Sequence, residues 1–580
     1  MDNNRKQLAI LFILFLVFTY KVAVWDPYFS PKAVEDAALK SASVASVESG
    51  LEQDKGAVVG EISRSAEIAR PVVDGNSSEE MGLATEGAVT GEFEVPSDDY
   101  FIVETAELRA EIALHGGTVR KLFLREYKET NKKKSPLLNL VQGSGDFEFV
   151  AGSQSDAGLN YRLEDSEFSS GKTYRVDSGE KVFRLVAQAP GGGLLSKFYS
   201  FSADGYFFDL QVSSKQDAAL SLGSKLYIKR VIGKDDPSLH DNFGGSGLAW
   251  YDGEKVHREG YPTIKEGAES FSAVRWLGLG DKYFSTTLVA PEAPLSGGIE
   301  RQAENYRAYL NTAASEVSVR IFTGPKSYQL LENADYDLRK LINFGWTGFV
   351  AAPLLLALHM FYSIFGNFGV AIVVLTISVK LLLYPLSAVS FKSMKAMQDL
   401  QPDMKRIRET ISDKALQQQE LMALYKRKGV NPMGGCLPML MQIPIFFGLY
   451  SALQLDIELR HAPFAFWIND LSAKENFEVF GYAVPVMVIL LVVSMVVQQW
   501  ITPSTADPAQ KKMMMFMPFV MGFLFMGFPA GLTLYWLTNN LISIAQTQGL
   551  HQTSEKNALA VTLATGLAVF SVAFVLAQVG

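Results

Sequence analysis

At 580 residues the chain exceeds what one hydrophobic core usually serves, so at least two structural units are expected. A hydrophobic fraction of 48% and a mean hydropathy of +0.11 exclude both an ordinary soluble protein and one embedded in a membrane throughout. The net charge of -8 gives no ground for a nucleic-acid partner, and a single cysteine, Cys436, excludes a disulfide framework.

Arg5 and Lys6 precede the apolar run Leu8 to Trp25, which is long enough to cross a bilayer with its leading end in the cytoplasm. No small-x-small cleavage site precedes Asp26, so residues 1–26 read as an uncleaved anchor rather than a signal peptide. Residues 27–95, rich in Ala, Ser, Glu and Gly, read as a flexible acidic linker. From Tyr100 the pattern changes to short alternating runs: Phe101 to Thr105, Lys121 to Arg125, Tyr206 to Val212 and Val317 to Phe322 are predicted strands. With no helical pattern between them, residues 96–338 are expected to form a β-sandwich. Gly171-Lys172-Thr173 is not a phosphate loop, because Ser166 stands where the earlier glycine is required. The polar candidates His115, His240, Asp241 and His257 lack metal-ligand spacing; a sugar-binding or sugar-modifying sandwich is the rival reading of this region, and no catalysis is assigned to it.

After Leu338 the apolar segments crowd together: Leu341 to Phe365, Gly369 to Leu386, Gly434 to Leu455, Phe480 to Trp500, Met513 to Phe528 and Gly531 to Gln546. The loop Phe391 to Val430 is strongly basic, with Lys405, Arg406, Arg408, Lys426, Arg427 and Lys428, which assigns it to the cytoplasm. With the middle domain outside, an odd number of crossings must precede this loop. Leu341 to Phe365 is interrupted by Gly345, Gly348 and Pro353 and is rich in aromatics, so residues 339–366 read as a helix lying on the outer surface. The other five segments then cross, within residues 367–550. Residues 551–580 hold a further apolar run, Ala558 to Gly580, readable as an extra span or as a surface-lying tail. In the basic loop, Met394, Met397, Met404 and Ile407, then Leu416, Leu421, Leu424 and Tyr425, have helical spacing with a break near Ser412-Asp413; two amphipathic helices folded back on one another are expected at 391–430.

One charge interrupts an apolar segment. Lys380 stands one turn after Thr376, and its cost of about 2.5 to 3.5 kcal/mol near the bilayer centre can be absorbed by the apolar residues around it. Two readings stay open: the ammonium snorkels to the cytoplasmic headgroups, or it faces a hydrated groove with Gln442, Gln498, Gln499, Thr533, Asn539 and Asn540 as polar neighbours. A secondary transporter would also use such a lysine, but it usually carries internal repeats, and none is detectable here.

The stretch from Asn431-Pro-Met-Gly-Gly-Cys to Phe446-Phe-Gly-Leu-Tyr450 resembles the YidC/Oxa/Alb family of membrane protein insertases, as do Lys380 to Leu386, Arg460 to Leu471 and Phe528 to Trp536. The resemblance runs from the first residues to about Gln548. It implies a multi-pass α-helical inner-membrane protein, with a five-helix insertase core, an N-terminal anchor helix and a periplasmic all-β supersandwich domain. The implied function is membrane protein insertion and chaperoning without catalysis, cofactor or metal. In the family a basic residue, often arginine, sits in a groove; Lys380 matches it, and Thr376, Tyr535 and Trp536 match positions that contact the inserting segment. Gln442, a polar residue in a neighbouring apolar segment, is expected in the same groove. The basic hairpin is expected to recruit clients. The implied partners are nascent membrane-protein clients, the lipid bilayer, Sec translocon components (SecYEG, SecDF), and the ribosome or the signal recognition particle receptor. The apolar run after Ala558 departs from the basic tail common in such insertases, which removes the basis for tail-mediated ribosome binding.

Overall fold

The computed structural model describes residues 99–580, apart from Lys133, 142–144, 152–153, Ser166, 189–192, 215–223, 234–235, 241–244, 313–315, 432–436, Asn476, Gly481, 503–507, 553–554 and Gly580. The expected anchor at 1–26 and linker at 27–95, together with Ser166, Asp241 and Cys436, lie outside the described residues.

The predicted strands form because their side chains alternate at the period of a pleated sheet. In Glu316–Pro325, Glu316 and Ser318 face out while Val317 and Val319 are buried. Among the described residues the strands make three larger sheets. A nine-stranded antiparallel sheet runs in the order Val256–Glu259, Gly247–Tyr251, Trp276–Gly280, Phe284–Val289, Glu316–Pro325, Phe207–Ser214, Leu194–Ser202, Glu180–Gln188 and Arg162–Leu163. Its members Trp276–Gly280 and Phe284–Val289 are buried along their whole length, as strands covered on both faces are. A six-stranded sheet around Asn305–Thr312 and Ser224–Val231, and a five-stranded one around Leu108–Ala113, complete the domain. The core is aromatic, with Phe201 stacked on Phe208 at 4.9 Å between ring centroids and Phe183 against Phe101 at 5.3 Å.

A charged pair lies inside this core. Lys197 is fully buried, with Nζ 2.6 Å from Asp156 Oδ2, and it donates to the carbonyls of Gly116, Gly117 and Phe147 at 3.0, 3.2 and 3.0 Å. Asp156 also accepts from the Tyr161 hydroxyl at 2.9 Å and the Phe149 N–H at 3.0 Å. The ammonium and both carboxylate oxygens therefore have partners, the condition under which a buried ion pair is tolerated.

Ten helices carry the second half of the described chain: α1 Gly348–Phe365, α2 Phe368–Leu382, α3 Tyr384–Asp399, α4 Gln401–Thr410, α5 Lys414–Lys428, α6 Leu437–Leu455, α7 Val486–Ile501, α8 Pro508–Phe525, α9 Ala530–Gln552 and α10 Glu555–Val579. By length and composition, Gly345–Phe365 and Ala558–Gln578 can each cross a bilayer, and the bent pair α2 and α3 adds a third such element; Leu440–Leu455 and Val486–Ile501 are shorter apolar helices. The β domain meets the helices through the segment after α6. There Ile457 joins the β core, and the Arg460 guanidinium donates to the Lys128 and Glu129 carbonyls at 2.9 and 3.0 Å.

Three boundaries differ from the sequence reading. The segment Gly369 to Leu386 is not one helix: α2 ends at Leu382 and α3 leaves at 58°, because Pro385 has no N–H to continue the helical ladder. As a result Met394 and Met397 lie on α3, and the hairpin proper is α4 and α5, closed by Met404, Leu400, Leu421 and Leu424, with the break at 411–413 as expected. The apolar run from Phe480 also divides, since α7 starts only at Val486, after Pro485, and Glu478–Val479 pairs with Tyr482–Ala483 as a small hairpin.

Candidate functional site

The residues singled out around Lys380 come from four helices, α2, α6, α7 and α9, that their own sequences hold together. α9 packs against α2, α6 and α7. At the N-terminal end of α2, Gly369 lies so close to Phe464 that a Cβ there would sit 2.0 Å from the ring, so only glycine admits this approach. α2 is started by Asn367, whose side chain accepts from the Val370 N–H at 3.1 Å.

On this frame Lys380 is half-buried, and its Nζ donates to Ser543 Oγ on α9 at 2.6 Å. Ser543 Oγ in turn donates to the Asn539 carbonyl at 2.8 Å. Among the described residues no carboxylate pairs with Lys380, whereas Lys197, Lys229 and Arg230 of the β domain each face one. One turn beyond Ser543, the buried amide Nε2 of Gln546 finds no acceptor among the described residues. Thr376 is buried and donates to the Ile372 carbonyl of its own helix at 2.7 Å, so its hydroxyl is held one turn from Lys380.

Gln442 on α6 donates through Nε2 to the hydroxyl of buried Tyr535 on α9. The neighbouring Trp536 is packed edge-on against Phe446 at 4.8 Å and against Phe525 at 5.4 Å, joining α6, α8 and α9. The structure thus links Gln442 to Tyr535, and Lys380 to Ser543, through side chains of α9. It does not bring all the expected polar neighbours to Lys380. Asn540 donates to Ser494 on α7 at 3.2 Å, Gln499 to the Met514 carbonyl at 2.8 Å, and Thr533 to the Pro529 carbonyl at 3.3 Å. The lysine's partner, Ser543, is not among the residues that the sequence singled out; it lies seven residues, about two helical turns, beyond Trp536.

On the other side, Lys405, Arg406, Arg408, Lys426, Arg427 and Lys428 sit on α4 and α5. Lys405 faces Glu409 at 3.8 Å and Arg427 faces Glu420 at 3.6 Å, both well exposed. Such pairs contribute little, so the hairpin is held by its apolar seam rather than by its charges. In the β domain His115 contacts Asn160 at 2.9 Å and His257 contacts Asp252 at 2.8 Å, too far apart in the fold to form one site. Among the described residues no three His, Cys, Asp or Glu side chains converge as a metal site would require. His359 on α1, which no motif marked, lies between Asp456 and Glu458 with a ring nitrogen 3.0 Å from each, and so ties α1 to the segment that carries Arg460.

Residues 101–357 match the family model described as the YidC periplasmic domain, and residues 360–557 match that of the 60Kd inner membrane protein. The chain is 35% identical over 458 residues to the membrane protein insertase YidC of Geobacter sulfurreducens, covering 76% of this chain and 84% of that one. It is 34% identical over 574 residues to the insertase of the same name from Geotalea daltonii, covering 93% and 98%. A crystal structure of an active YidC insertase with its first transmembrane domain resolved shares 21% identity, covers 78% of this chain and 92% of that one, and gives a TM-score of 0.37.

Proposed function

The chain belongs to the YidC family of membrane protein insertases, and on that premise we propose that it moves clients through a hydrated groove at Lys380. It is an inner-membrane protein with a periplasmic β domain, and it serves membrane protein biogenesis. In the proposed arrangement α2, α6, α7, α8 and α9 form a five-helix core, α1 lies on the outer surface, and residues 1–26 anchor the chain ahead of the linker. The basic hairpin then falls in the cytoplasm, as the charge rule requires; counting α1 as a crossing would move it outside. α10 is an added span on the back of the core: Gly566 lies against Ile377 of α2, and Phe570 meets Phe365 at 5.3 Å. It leaves its face of Leu563, Leu567 and Val575 to lipid.

One observation carries the mechanism: the ammonium of Lys380 projects from an apolar helix toward a hydroxyl, with no carboxylate among the described residues to neutralise it. An acidic or polar client end entering the groove gains that charge and the water that Gln546 and Lys380 demand, which lowers the cost of bringing it partway into the membrane. The apolar client helix then passes into lipid, where burial of about twenty apolar residues makes the step downhill. Outward movement of one acidic residue draws a further ~2.3 kcal/mol per 100 mV of membrane potential. Lysine supplies a point charge rather than a planar fork, so the contact is electrostatic rather than bidentate. In the proposed path the client meets Gln442 and Trp536, with Thr376 and Tyr535 buried beside them, and α4 with α5 receives clients on the cytoplasmic side.

The test is reconstitution. A single-span client with an acidic leading tail is presented to liposomes with and without the purified chain, and the protected fragment is measured after external protease. Protection that depends on the protein supports the reading; equal protection in empty liposomes overturns it.

A further inference from the structure

The segment between α6 and α7, residues 456–485, lies on the side of the β domain, where Arg460 holds it. Much of it is packed, with Leu459, Phe464, Ile468 and Leu471 buried. Its last part is not. In the hairpin formed by Glu478–Val479 and Tyr482–Ala483, Phe480 is 97% exposed and Tyr482 75% exposed. Phe480 also takes a φ of +53°, a left-handed backbone that costs a bulky residue and that a turn in water gives to glycine or asparagine. Neither the strain nor the exposure of two large rings has a return in water.

The helix that follows explains both. α7 has 16 residues and is therefore about 24 Å long, roughly 6 Å short of a hydrocarbon layer of about 30 Å. Its exposed residues Ile489, Leu490, Val493, Val497 and Trp500 follow helical spacing down one side, as a lipid-facing stripe does, and Trp500 at the inner end is 87% exposed, the position of an interfacial tryptophan. With its inner end fixed there, the residues just before Val486 fill the remaining depth when they enter the layer from the other side, where otherwise the bilayer would have to thin locally at a cost. Those residues are the aromatic hairpin, continuous with the stripe.

We infer that the Phe480–Tyr482 hairpin is seated in the outer leaflet of the bilayer, with the Phe480 ring among the upper acyl chains and the Tyr482 hydroxyl at the headgroups. This rests on the membrane topology above, not on the groove mechanism. The depth is limited from below, because a pair of two-residue strands leaves backbone N–H and C=O groups unpaired, and these must stay within reach of headgroup water. The hairpin thereby holds the outer ends of α6 and α7 at a fixed depth.

Site-directed spin labelling tests this in proteoliposomes containing the full chain alone. In a Cys436→Ser background, Phe480→Cys and, separately, Tyr482→Cys carry the nitroxide. Lys255→Cys, in an exposed turn of the β domain, is the aqueous reference, and Leu490→Cys is the lipid reference. Collision rates with oxygen and with a polar nickel chelate are compared. The expected oxygen-to-nickel ratio at position 480 is about tenfold above the Lys255 site, since hydrocarbon excludes the polar chelate, with position 482 between the two references. A ratio at 480 equal to the Lys255 site would overturn the inference and leave the tip in water. Low collision with both reagents would overturn it too, by showing the rings covered by protein.

Discussion

Replacing Lys197 by methionine removes the positive member of a fully buried pair while keeping most of the side-chain volume. Asp156 would keep the Tyr161 and Phe149 donors, but its charge would lose the ammonium 2.6 Å away, and three carbonyls would each lose a donor. Breaking one side of a buried pair costs about 3 to 5 kcal/mol, which in a domain of this size lowers the melting temperature by roughly 6 to 20 °C. The double variant Lys197→Met with Asp156→Asn separates the charge from the packing. It removes the stranded charge, and the amide oxygen introduced at position 156 still accepts from the Phe149 N–H, so it should recover at least half of the loss. Thermal unfolding of the full chain in detergent, with protease sampling of the β domain at each temperature, measures both. A loss below about 1 kcal/mol in the single variant, or a double variant no better than the single one, would refute the view that the pair is held as a charge pair.

Three further perturbations follow from the same structure. Leu424→Asp puts a carboxylate into the seam that closes α4 on α5, so the hairpin should open, shown by faster proteolysis there and weaker client capture while the β domain melts unchanged. Asp146, buried in the β domain, has its carboxyl pushed up to about 7 by burial. Because its native pKa is raised, stability is full below the unfolded value near 3.8 and is lost as pH rises toward 7, by at most about 4 kcal/mol. Asp146→Asn should therefore flatten the fall in melting temperature between pH 5 and pH 8, and an unchanged pH profile would count against the shift. Tyr535→Phe leaves the Gln442 amide without its hydroxyl partner, at a cost of about 1 kcal/mol, so client insertion should fall by less than tenfold while cross-linking of a client to position 442 increases.

The parts of this fold that were legible in the sequence are those set by local periodicity. Val317 and Val319 alternate with Glu316 and Ser318, and the break at Ser412-Asp413 separates two helical patterns; each signal lies within a few residues and survives folding. Lys380 stands out in the sequence because a lysine in an apolar run is costly wherever the helix goes. The partner of Lys380 is not legible there, because Ser543 is 163 positions away and the choice among Asn539, Asn540 and Ser543 depends on how α9 rotates against α2. The boundaries at Leu382 and Val486 were hidden by hydropathy, which does not register that Pro385 and Pro485 interrupt hydrogen bonding within apolar stretches. Lys197 was invisible for a related reason: on the strand Leu194–Ser202 it reads as an ordinary solvated lysine until Asp156 is brought beneath it.

The most direct test of the groove is to insert the acidic-tailed client with wild-type chain, Lys380→Ala and Lys380→Glu, each verified as folded. A client carboxylate about 4 Å from the ammonium gains on the order of 4 kcal/mol at an effective dielectric constant of 20, part of it offset by desolvation. Wild type should insert efficiently, Lys380→Ala should be slower, and Lys380→Glu should fall by more than about tenfold, with the loss reduced for a client whose tail is neutral. Equal insertion of the acidic client by all three would contradict an electrostatic groove at Lys380.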